Sequence, residues 1–106
     1  MSKVPKRYTK FMKDFPEVGA AYHSLGEATK SAGPLDAKTA ALVKLGIAVG
    51  ARMEGAVHSH ARKSLEAGAT PDEIRHVALL STTTIGFPNM MASLSWLGDV
   101  LEPGEE

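Results

Sequence analysis

Residues 58–74 read HSHARKSLEAGATPDEI, and the second half of this stretch is the clearest local signal in the chain. Gly68 halts the helix that precedes it, because glycine accepts the left-handed cap. Thr70 is an N-cap residue, and Pro71 follows at the first helical position, where a missing N–H costs nothing. Glu73 completes a capping box with Thr70. Ile74, Val77, Ala78 and Leu80 then line the new segment at helical spacing. One helix ends, the chain turns, and another begins.

Working outward, the same reading holds in both directions. Upstream, a helix covers roughly Glu54 to Ala67. Before it, Asp36 caps a helix from Ala37 to about Ala51 that is apolar on nearly all sides, interrupted only by Lys38, Thr39 and Lys44. A helix of that kind is expected at the centre of a bundle, and Gly46 and Gly50 are expected to let a neighbour approach its backbone. Earlier still, Lys6 to Phe15 carries Tyr8, Phe11, Met12 and Phe15. Pro16 opens a second amphipathic helix with Val18, Ala21, Tyr22 and Leu25, which Gly33-Pro34 is expected to end. Downstream, Thr82, Thr83 and Thr84 weaken the helix begun at Pro71, and Gly86-Phe87-Pro88 punctuates it. A last helix is expected from about Asn89, presenting Met90, Met91, Leu94, Leu97 and Leu101 ahead of a polar tail from Pro103. The prediction is a single all-α domain over residues 1–106, a bundle of five to six helices.

Composition narrows the function classes. The 106 residues are 43% hydrophobic, with twelve basic and twelve acidic side chains and no cysteine. That suffices for a core, while a chain this short is expected to gain further burial by association. The charge balance does not suggest a nucleic-acid partner, since the basic cluster of Lys3, Lys6, Arg7, Lys10 and Lys13 reads as a solvated helix face. Without cysteine there can be no disulfide and no thiolate chemistry. No apolar run is long enough for a signal peptide core or a membrane span, so no membrane partner is expected and the cytoplasm is the expected compartment.

The candidates for chemistry are Ser59 and the histidines His23, His58, His60 and His76. Residues two apart on a helix point about 200° from one another, so His58 and His60 are not expected to share a metal ion. No metal and no cofactor is expected. Glu54, His58 and Arg62 share one face and read as an ion-pair row, with an acid–base pair as the functional alternative. His76 has Asp72 one turn before it and reads the same way. His60 differs, because its helical neighbours are Ala56, Val57, Ser64 and Ala67. A histidine on a face of small residues lies in a core or lines a cleft. No serine sits in a nucleophile elbow, and there is no phosphate-binding glycine loop.

The stretch Gly50 to His60, GARMEGAVHSH, followed by Ala67-Gly68-Ala69-Thr70 and Asp72-Glu73-Ile74, resembles the carboxymuconolactone decarboxylase (AhpD-like) family. Leu35-Asp36-Ala37-Lys38-Thr39 is similar to the family's entry into its central helix, and Gly86-Phe87-Pro88 to its break before the last. The resemblance covers about Pro34 to Leu101. It implies an all-α subunit that assembles as a homotrimer or homohexamer. The family's peroxidase branch uses a Cys-x-x-Cys-x-x-x-His motif with a glutamate upstream. Aligned on His60, the two cysteine positions hold Met53 and Ala56, and the glutamate position holds Ala41. The resemblance therefore implies a member without thiol peroxidase activity, acting as an oligomeric binding or structural protein for which a small carboxylated or cyclic ligand is a candidate partner. Two alternatives stand beside it. One is a lactone decarboxylase or related acid–base enzyme using His60, with Glu54 or His58 assisting. In that branch a glutamate–leucine pair precedes the histidine by one turn, where this chain has Ala56 and Val57. The other is a self-assembling subunit engineered on this fold.

Overall fold

The computed structural model describes residues 5–102, and within them every regular element is a helix. Lys3 of the N-terminal basic cluster and the tail from Pro103 lie outside the described residues. Six helices have nine residues or more, as expected for the bundle, and a seventh segment is a single turn. The chain divides into two units, residues 1–35 and 36–106.

The first unit is a helical hairpin, α1 (Lys6–Asp14) and α2 (Pro16–Ser31). Pro16 sits in the first turn of α2, where its missing N–H is no loss. The Phe11 and Phe15 rings meet at the joint, tilted by 39° with centroids 5.6 Å apart. The one buried residue is Gly19, against Met12 of α1: a Cβ there would lie 2.6 Å from the Met12 sulfur. Tyr8, Phe11, Phe15, Val18, Tyr22 and Leu25 remain 38–61% exposed. The end of α2 differs from the sequence reading. The helix stops at Ser31, Ala32 keeps a right-handed helical conformation, and Gly33 does not take a positive φ.

The second unit carries α3 (Ala37–Gly50), α4 (Glu54–Glu66), α5 (Pro71–Leu80), the single turn α6 (Thr82–Ile85) and α7 (Phe87–Leu101). The Asp36 carboxylate accepts from the Thr39 N–H at 2.8 Å and caps α3. Arg52, at φ 58°, turns the chain from α3 into α4. Gly68, at φ 99°, ends α4 while the Ala69 N–H bonds back to the Ser64 carbonyl, closing a Schellman turn. The capping box forms as its spacing requires: the Glu73 N–H donates to Thr70 Oγ1 at 3.1 Å, and the Thr70 N–H donates to Glu73 Oε1 at 2.9 Å. Leu45 and Val49 of α3, Val57 and Ala61 of α4, Ile74 and Ala78 of α5, and Leu97 of α7 form one buried cluster.

Three expectations need correction here. Helix α3 is not enclosed within the chain, because Val43 and Ile47 lie 46% and 65% exposed opposite its buried stripe. Only Gly46 meets a neighbour, Val77 of α5 at ordinary packing distance; nothing approaches Gly50. Finally, α7 begins at Phe87, so Pro88 occupies its first turn and is not a break ahead of it.

Candidate functional site

Helix α4 presents His58, Ser59 and His60 on consecutive positions, all half-buried. Ser64, one turn beyond His60, spends its hydroxyl on the His60 backbone carbonyl at 2.7 Å. The His60 ring itself has no hydrogen-bond partner among the described residues. Loss of solvent lowers its pKa below the ordinary imidazole range, and the positive charges of Lys63 and Lys44 push it the same way. His60 is therefore biased toward the neutral imidazole, whose lone pair can meet a ligand or a transferable proton.

The positions aligned with the peroxidase motif hold no group that could complete it. Ala41 is half-buried on α3, Met53 stands 58% exposed just before α4, and Ala56 is half-buried on α4. None carries a thiol or a carboxylate. An open cavity of about 560 Å³ lies between α3, α5 and α6, lined by Leu42, Val77 and Ile85 with Thr39, Glu73 and His76 at polar points. His60 does not line it.

The ion-pair row expected on α4 takes a different form. Glu54 Oε2 lies 4.0 Å from His58 Nε2, but the nearer partner is Asp99 of α7, whose Oδ2 is 2.9 Å away. Arg62 joins no ion pair there. The sequence reading missed Asp99, although α7 offered one clue: it is the only charged residue from Phe87 to Leu101. His76 does not pair with Asp72, which instead approaches Arg75 at 3.7 Å. His23 is exposed on α2. One buried group remains unexplained by these contacts: Ser93 Oγ on α7 has no hydrogen-bond partner.

Comparison with known proteins bears on the family and the fold. The model of the carboxymuconolactone decarboxylase family matches residues 16–99. An uncharacterized protein of Haemophilus influenzae is 37% identical over 63 residues, which is 59% of this chain and 56% of that relative, so the match spans little more than half of its length. The crystal structure of apo-lpg0406, a carboxymuconolactone decarboxylase family protein from Legionella pneumophila, superposes with a TM-score of 0.76 at 26% identity, covering 94% of this chain and 88% of that one. No helix among the described residues is long and apolar enough to cross a membrane.

Proposed function

Since the chain belongs to the carboxymuconolactone decarboxylase family, we propose that it is an oligomeric member that binds a small ligand or serves a structural role and performs no thiol peroxidase chemistry. The observation that carries this reading is the absence of cysteine, with Met53 and Ala56 where the redox pair would stand. Turnover of a peroxide by a dithiol centre needs a thiolate to attack the O–O bond and a second thiol to resolve the sulfenic acid. A thioether can take up one oxygen as a sulfoxide, but no neighbouring thiol can return it, so oxidation at Met53 stops after one event.

Self-association as a homotrimer or homohexamer accounts for the apolar residues left in solvent, Tyr22 and Leu25 on α2 and Val43 and Ile47 on α3 among them. A small carboxylated or cyclic ligand suits the surroundings of His60, where Lys44 and Lys63 supply positive charge. The same desolvated, unpartnered imidazole supports a second reading, acid–base chemistry on a carboxylated lactone. Ala56 supplies no carboxylate to assist it.

The decisive assay follows hydrogen peroxide in the presence of a dithiol reductant and purified protein. Consumption at the buffer rate is expected, and catalytic consumption would overturn the reading. Light scattering should give three or six times the 11.2 kDa chain mass, and a monomer at tens of micromolar would remove the assembly.

A further inference from the structure

Glu54, His58 and Asp99 are the one grouping of potential metal ligands among the described residues, and the family reading leaves them without a task. One ligand atom from each, the imidazole nitrogen and two carboxylate oxygens, all lie within 4.8 Å of one another. A surface ion pair explains the 2.9 Å approach of Asp99 to His58. The i, i+4 spacing on α4 brings a second carboxylate, Glu54, to 4.0 Å from the same imidazole nitrogen, and among the described residues neither acid has a lysine or arginine within ion-pair distance. Two carboxylates beside one imidazole repel each other. A proton on His58 offsets one of the two negative charges, whereas a divalent cation offsets both and bonds all three atoms.

We propose that Glu54, His58 and Asp99 form a binding site for a divalent transition-metal ion of the zinc class. The nitrogen ligand decides the class, because magnesium and calcium favour all-oxygen shells while imidazole suits zinc and its neighbours. Three protein ligands leave a position for water or a substrate atom. Ligands about 2.0–2.2 Å from a tetrahedral ion stand roughly 3.3–3.6 Å apart. The His58–Asp99 pair, now 2.9 Å apart, opens by roughly half an ångström to reach that spacing. The 4.0 Å gap to Glu54 closes by rotation of a side chain that is 57% exposed. The mounts are rigid: Val57 precedes His58 within the core, and Leu97 anchors α7 two residues before Asp99. An ion there ties α4 to α7 and favours the folded chain by mass action.

The test uses the full, tag-free chain freed of metal by chelator and dialysis, then titrated with zinc chloride in a calorimeter and melted with and without the ion. Saturable uptake of one zinc per chain and a raised Tm are expected, with magnesium chloride producing neither. Asp99→Asn, Glu54→Gln and His58→Ala should each weaken zinc binding by at least about tenfold, while His23→Ala and His76→Ala leave it unchanged. The Asn and Gln variants alter exposed side chains and keep their shape, and far-UV circular dichroism checks that they fold. No saturable uptake below about 1 mM free zinc, or wild-type affinity in the folded Asp99→Asn and His58→Ala chains, would overturn the proposal. So would equal uptake of magnesium.

Discussion

The two units of this chain handle apolar surface in opposite ways. The unit from Asp36 onward closes a core of its own, with Leu45, Val57, Ile74 and Leu97 at 1% exposure or less. The α1–α2 hairpin also carries large apolar side chains but buries only Gly19, leaving its rings and Leu25 in solvent. Hydrophobic burial is the main favourable term in folding, so the first pattern describes a unit that holds itself together. The second describes a surface that gains little from burial within the hairpin itself. Equivalent truncations in the two units should therefore report different quantities.

The largest effect expected is at Ile74. Ile74→Ala removes fully buried methylenes where α5 meets the core, and should lower the unfolding free energy by about 4 kcal/mol. Leu25→Ala should change it by under about 0.5 kcal/mol in urea titrations at dilutions where the chain is monomeric, since Leu25 is 61% exposed. If Leu25→Ala cost as much as Ile74→Ala at high dilution, the contrast between the units would fail. Next in size is Thr70→Ala, which removes one arm of the capping box and should cost about 1 kcal/mol by the same titration.

Acid gives a gentler test of the second unit. The His60 pKa is lowered in the folded state below the ordinary imidazole value of 6.5, so between those two values the unfolded chain binds a proton that the folded chain does not. Stability then rises with pH through that window and is lost as pH falls from 6.5 toward the folded value. His60→Gln should flatten the slope measured by denaturation at a series of pH values; an unchanged slope would mean His60 does not contribute. The smallest effect is expected at Ser93. Ser93→Ala removes a buried hydroxyl with no partner and should be neutral or stabilising by up to about 1 kcal/mol in thermal melts.

What could be read in advance was what is decided locally. Thr70, Pro71 and Glu73 specify the start of α5 within four residues, and Gly68 ends α4 because only a few residues accept its backbone angle. These hold in the structure. Proline and glycine proved ambiguous wherever two local roles compete. Pro88 could break a helix or start one, and it starts α7; Gly33 could cap α2, and the helix ends earlier without it. The site was legible in part. The half-buried position of His60 follows from a helical face of small residues, but the partner of His58 is 41 positions away on α7. Periodicity along α4 finds Glu54 and Arg62 and cannot find Asp99, because that contact depends on how two helices cross.

Glu73 serves two neighbours with one side chain. Its Oε1 takes the Thr70 N–H while its Oε2 takes the Lys38 ammonium at 2.9 Å, and together these hold its carboxyl below the usual carboxylate range. The ion pair between α5 and α3 and one arm of the capping box before α5 therefore depend on the same carboxylate. A change that neutralises or shortens this side chain releases a long-range link and a local one at once, while the buried contacts of Leu45 and Val49 with the α5 residues of the core remain.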